Sequence, residues 1–310
     1  MRVLHLSDPH LMAPGDVHHG AVDTLAATRR VLAACAELPT PDLVVVSGDV
    51  SDDGTVESYE AARDVIGGWA RVRGARAVFA MGNHDQRATF RQVLGDGHLD
   101  APAPRPSTPA LPGATCPSTR SPGSGGRRVV TLDSSVPRAG YGRVDAAQLA
   151  WLREELRTPA PAGTVLVLHH PPLPPVTRLH TALQLQDPAP LGEVVAASDV
   201  LVVLAGHYHH PMSGIFGGRL VVVAPAIANR TDTGCPGAPS APCAAAGPPW
   251  STSAPSRGRS PPCTWSRHPT TARRSSPTGG GGRADRPARR PRTPRVAAAV
   301  TGDRAGRPRR

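Results

Sequence analysis

The chain has 310 residues and a formal net charge of +11, with 35 arginines, no lysine and 24 acidic residues. Residues 231–310 hold 15 of the arginines and only 3 acids, so the first 230 residues, with 20 arginines and 21 acids, are close to neutral. The excess charge therefore says nothing about a folded nucleic-acid surface, and the tail that carries it lacks interleaved aromatics or a binding module. The five cysteines have no CxxC-like zinc spacing, and no apolar run approaches the ~20 residues needed to cross a bilayer. The first residues carry one arginine and a short apolar run broken by Asp8, unlike a signal peptide. The expectation is a cytoplasmic protein in a reducing compartment, with no nucleic-acid or membrane partner.

The apolar pattern predicts alternating strands and helices. Residues 2–7 form a buried strand and 22–38 a helix closed by Pro39 and Pro41. Strand 43–47, helix 57–70, strand 77–81 and a helix over 88–94 follow. Residues 98–127 are rich in Pro, Ser and Gly and nearly free of large apolar side chains, which predicts a mobile loop. The alternation resumes with strand 129–132, a helix capped by Asp145 and ending at Arg157, strand 164–168, helix 191–196 and strands 200–204 and 220–223. This order predicts an α/β fold with a largely parallel sheet. From Thr231 the composition loses almost every large apolar residue, which predicts a disordered basic tail over 231–310. Cys35 reads as a small core residue of the first helix.

Five of these strands end in polar residues. The ends are Asp8-Pro9-His10, Gly48-Asp49, Gly82-Asn83-His84-Asp85, His169-His170 and Gly206-His207-Tyr208-His209. In α/β proteins such ends form the ligand site. Carboxylate, imidazole and amide donors without thiolate suit Mn, Fe or Zn. A carboxylate on a sharp turn, as Gly48 permits for Asp49, can bridge two cations. His5 reads as a strand histidine, and His18, His19, His98 and His268 as loop or tail residues. Tyr208 and His210 fit either a substrate contact or a structural place.

The order and spacing of these blocks resemble the calcineurin-like metallophosphoesterase superfamily, and more narrowly the bacterial class III cyclic-nucleotide phosphodiesterases. The Leu132–Ser135 strand end, the Gln148–Leu152 helix and His169-His170-Pro171-Pro172 add to the narrower resemblance. It covers residues 1–98 and 128–230 and implies a sandwich of two β-sheets flanked by helices. It implies two metal ions, Fe or Mn foremost, with Zn, Co or Mg as alternatives. Asp8, His10, Asp49 and His209 would hold one. Asp49, Asn83, His169 and His207 would hold the other, with His170 as the alternative to His169. Asn83, His84 and His209 would contact substrate, and His84 would be catalytic, protonating the leaving oxygen. Asp52 and Asp85 would orient these residues from behind. The implied reaction is hydrolysis of a small phosphodiester such as cAMP; a glycerophosphodiester, nucleotide or monoester is the alternative. A catalytically impaired remnant lacking C-terminal strands is a further reading, and a homodimer is compatible with the pattern.

Overall fold

The computed structural model describes residues 1–99, 119–122 and 126–231. The chain begins with β1 (Val3–Leu6), α1 (Thr24–Ala34), β2 (Leu43–Ser47) and α2 (Val56–Ala62). A π-helical turn (Arg63–Gly67) joins α2 to α3 (Gly68–Val72), so the single helix expected here is continuous but locally widened. Next come β3 (Arg76–Ala80), α4 (Arg87–Leu94), β4 (His98–Leu99), β5 (Thr119–Pro122), β6 (Arg128–Thr131), β7 (Gly142–Arg143) and α5 (Ala146–Leu156). The chain continues through β8 (Thr164–Val167), α6 (Arg178–Leu183), β9 (Leu185–Gln186), α7 (Ala189–Ala196), β10 (Val200–Ala205), β11 (Met212–Phe216) and β12 (Arg219–Val223).

The strands make two main sheets. One has the order β1-β2-β3-β4, the other β11-β12-β10-β8-β6-β5, and β7 and β9 form a small ribbon. Parallel pairing joins β1, β2 and β3, and likewise β6, β8, β10 and β12; the antiparallel strands lie at the edges. The aliphatic runs Val44-Val45-Val46 and Val165-Leu166-Val167 explain why these central strands can be buried on both faces. Leu43, Val45, Val78 and Ala80 of the first sheet meet Val129, Val165, Val167 and Leu204 of the second in a core between the sheets. A second core packs Val44, Val46, Phe79 and Ala77 against Leu32, Tyr59, Ile66 and Phe90 on the helices. A third packs Val130, Leu166, Val203 and Val221 against Leu149, Leu152, Leu191 and Val195. The expected α/β sandwich is therefore present, with helices on both outer faces.

Side-chain caps fix several helix starts. Asp23 accepts from the Ala26 amide, Thr55 from Ser58 and Asp145 from Gln148, each satisfying an amide with no intrahelical partner.

Two expectations need correction. The segment 98–127 is not simply a loop: β4 pairs with β3 and β5 with β6 at the sheet edges. Pairing with an existing edge supplies the hydrogen bonds that the local sequence does not signal. Residues 100–118 and 123–125 of that segment, and the tail expected over 231–310 beyond Thr231, lie outside the described residues. Cys35 is not in the core; it is half-buried in the 3₁₀ turn that ends α1.

Candidate metal centre

All five polar blocks lie just past the C-terminal ends of parallel strands β1, β2, β3, β8 and β10. The first two stay paired beyond the sheet: the Asp8 amide donates to Gly48 O at 3.1 Å, and His10 to Asp49 O at 3.0 Å. The backbone there is strained. Asp8, His10, Asp49, His207 and His209 have φ of +51°, +43°, +47°, +69° and +54°. Non-glycine residues avoid this region unless their surroundings hold them in it, and such residues cluster at functional sites. Three glycines make the close approach possible. A Cβ on Gly48 would collide with the His169 ring, one on Gly82 with Asp49, and one on Gly206 with Ser7 and Asp8.

The donors converge as two overlapping groups. Asp8, His10, Asp49 and His209 each place a ligating atom within 4.8 Å of the others. Beside them, His169 Nε2 lies 3.1 Å from His207 Nδ1, 3.2 Å from Asn83 Oδ1 and 3.2 Å from Asp49 Oδ2. Asp49 Oδ2 is also 3.6 Å from His10 Nε2, so one carboxylate oxygen faces both groups. Asp8 Oδ1 lies 3.2 Å from His209 Nε2, while the Asp8 carboxylate accepts from the His207 amide at 3.0 Å.

The outward nitrogens show that this set fits a pair of cations. His10 Nδ1 donates to Asp52 Oδ1 at 2.9 Å, His169 Nδ1 to Ser47 O at 2.8 Å, and His207 Nε2 to Leu183 O at 2.9 Å. His209 Nδ1 donates to Asn229 Oδ1. With a proton assigned to each outer nitrogen, the neutral ring turns a lone pair inward. His10 Nε2 and His209 Nε2 then face each other at 3.2 Å, and His207 Nδ1 faces His169 Nε2 at 3.1 Å. Lone pairs at such distances, beside two buried carboxylates, favour a cation between them. Carbonyl or carboxylate partners on the outer nitrogen are how ligating imidazoles are held. The carboxylates draw positive charge to the same place. Burial opposes charge on His169, but Asp49 and Asp8 outweigh it and raise its pKa to about 9. Burial, reinforced by His169, lowers that of His207 to about 3. Burial also works against Asp8 and Asp49, yet the imidazoles hold both below the ordinary carboxylate range.

Around this centre, Asp52 gathers three imidazoles: His10, His84 with Nδ1 at 3.0 Å, and His18 with Nδ1 at 3.0 Å. His84 is the solvent-facing member, its side chain 42% exposed at the mouth of the site. Burial disfavours its charge, but the hydrogen bond to Asp52 and the Asp49 charge raise its pKa to about 9. Its backbone amide donates to Asp49 Oδ1 at 2.9 Å. Asp85 accepts from the amides of Val50, Ser51 and Gly82 and from the Tyr59 hydroxyl, which clamps the turn after β2 to the turn after β3. Burial, then the Asp49 charge, raises its pKa to about 6.

Other histidines sort by their contacts. His170 joins His169 and His207 in a compact group. Both its ring nitrogens are already engaged, by Ser134 Oγ at 2.9 Å and Gly140 O at 3.2 Å. The geometry thus favours His169 over His170 as the inward residue. His5 bonds Ser47 Oγ within the strand layer, as expected. His18 lies, as expected, in the loop between β1 and α1, whereas His98 stands in β4 beside Thr131; both are buried, His18 against His10 and Asp52. Tyr208 is fully buried and stacks on His180 with ring centroids 4.5 Å apart, a structural place. Asn229 and His18 are contacts that the motif spacing did not signal. Neither belongs to a polar block at a strand end, so only the folded chain brings them in.

The chain matches the calcineurin-like phosphoesterase family model over residues 1–211 and belongs to that family. It is a metallophosphoesterase, a hydrolase acting on phosphoric ester bonds. Among its relatives, a protein of Rhodococcus erythropolis named as a probable cyclic nucleotide phosphodiesterase is 39% identical over 224 residues, covering 72% of this chain and 69% of the relative. A cAMP/cGMP dual specificity phosphodiesterase of Mycobacterium tuberculosis is 38% identical over 231 residues, covering 74% and 68%. The 3',5'-cyclic adenosine monophosphate phosphodiesterase CpdA of Pseudomonas aeruginosa is 30% identical over 214 residues, covering 67% and 69%. No described helix is long and apolar enough to cross a membrane.

Proposed function

We propose that this chain hydrolyses 3',5'-cyclic nucleotides such as cAMP at a centre of two metal ions, with Fe or Mn as the occupants. The observation that carries this reading is the position of Asp49 Oδ2, 3.2 Å from His169 Nε2 and 3.6 Å from His10 Nε2. One carboxylate oxygen there lies within reach of both sets of inward-facing donors, so Asp49 would be the ligand the two sites share. Asp8, His10, Asp49 and His209 would hold one ion, and Asp49, Asn83, His169 and His207 the other. When bound, the ions neutralise phosphoryl oxygens and lower the pKa of water toward neutrality.

The residues supply the rest. Asp52 fixes the His10 ring through Nδ1 and the His84 ring through its own Nδ1, so a ligand and the solvent-facing imidazole share one anchor. The Asp52 hydrogen bond and the Asp49 charge outweigh burial and raise the His84 pKa to about 9, so this exposed imidazole would donate a proton to the leaving oxygen of the ester. Asn83 and His209, both partly exposed, would contact the phosphate. Asp85 would act from behind, keeping the Asn83 and Asp49 turns together through the amides of Val50, Ser51 and Gly82. The names of the relatives support a cyclic nucleotide as the phosphodiester.

The test is a substrate panel: metal-stripped protein, with and without added Mn²⁺, against cAMP, cGMP, bis-p-nitrophenyl phosphate and a monoester. The expected result is Mn²⁺-dependent hydrolysis of the diesters, cyclic nucleotides included. Full activity after exhaustive chelation would contradict the metal requirement, and turnover of the monoester alone would contradict the substrate class.

A further inference from the structure

The segment after β12 returns across the mouth of the two sheets. The Ala224 amide donates to Ala205 O at 2.9 Å, Ile227 to Ser7 O at 3.1 Å, Ala228 to Asp8 O at 3.2 Å and Thr231 to His209 O at 3.0 Å. It is thus tied to the end of β1 in one sheet and to the end of β10 in the other. These are the two strand ends that supply Asp8, His207 and His209. Between the ties at Ala228 and Thr231 sits Asn229, whose Oδ1 accepts from His209 Nδ1. It lies beyond residue 211, where the match to the family ends.

We propose that Asn229 is a positioning residue for the metal centre, holding His209 in the tautomer and ring orientation that turn Nε2 toward Asp8. This rests on the two-metal reading above and extends it to a residue that touches neither substrate nor metal. Of the four inward-facing imidazoles, two are held by backbone carbonyls, which no substitution removes, and His10 is held by the Asp52 carboxylate. His209 depends instead on one neutral side chain carried by a strap whose backbone bonds are all made to other elements. Without that acceptor, the His209 ring can flip or change tautomer, and one of the two sites loses an oriented donor. Outer partners of ligating histidines typically contribute about 10–100-fold in metal affinity.

The test is titration of Mn²⁺ into metal-stripped full-length protein by calorimetry, for wild type, Asn229→Ala, Asn229→Ser and Asn229→Asp. Thermal melting of the metal-free proteins runs in parallel. Wild type is expected to bind two ions. Asn229→Ala should weaken one site by about 10–100-fold and leave the other unchanged. Asn229→Asp keeps an acceptor oxygen and should stay within a few-fold of wild type. The metal-free melting temperatures should not follow this order, as they would for a purely structural role. If Asn229→Ala fails to fold, Asn229→Ser carries the same expectation. Wild-type affinity at both sites in the folded Ala or Ser variant overturns the proposal, as does an Asp variant weakened as much as Ala. A wild-type chain that takes up no Mn²⁺ overturns the two-metal reading itself.

Discussion

At the scale of single residues, Asp49 and His84 answer different demands although they lie within one hydrogen bond of each other. Asp49 is buried and faces donors from both groups, whereas His84 reaches solvent and bonds Asp49 only through its amide. Asp49→Ala is expected to lose bound metal and activity together, by elemental analysis and diester hydrolysis on the same sample. His84→Ala should keep its metal and lose about 10²–10⁴-fold in kcat, the usual worth of a positioned proton donor. Equal metal loss in both variants would contradict this division. Most of these residues were legible in the sequence because each follows an apolar run and carries a strongly ligating side chain. His18, His98 and Asn229 were not legible. Their significance comes from neighbours 20 or more residues away, such as Asp52, Thr131 and His209.

At the scale of elements, the parallel strands put every donor at one end of the sandwich, so site geometry depends on strand packing. Leu166 lies in the middle of β8, fully buried between β6 and β10 and against the helices outside. Leu166→Ala should cost about 2–5 kcal/mol through lost burial and the cavity left behind. Chemical denaturation would show this as a lower midpoint with an unchanged slope; a shift below about 0.5 kcal/mol would contradict the packing. The sequence revealed these strands because short, nearly continuous aliphatic runs bounded by polar residues stand out. It hid β4, β5, β7, β9 and β11, and also α6. Two-residue strands carry no periodicity, and β11 is an edge strand whose exposed Ser213 and Ile215 break the buried pattern. Pairing partners rather than local composition create such elements.

At the scale of the whole molecule, residues 1–231 form three apolar cores and a strap tied to both sheets as far as Thr231. A chain ending at Thr231 is therefore expected to melt cooperatively, near the temperature of the full chain, and to bind the same number of metal ions. A chain ending at Pro225 removes the ties to Ser7, Asp8 and His209 and should bind metal more weakly. If both shortened chains behaved alike, the strap would have no part in the centre.

The central claim is that distant strand ends hold two cations either side of one carboxylate. Anomalous diffraction from crystals of the Mn²⁺-loaded protein tests it most directly. The account predicts two peaks about 3.5–4 Å apart flanking Asp49, one near His10 and His209 and the other near Asn83, His169 and His207. A single peak, or metal held only by His10, His18 and Asp52, would contradict it.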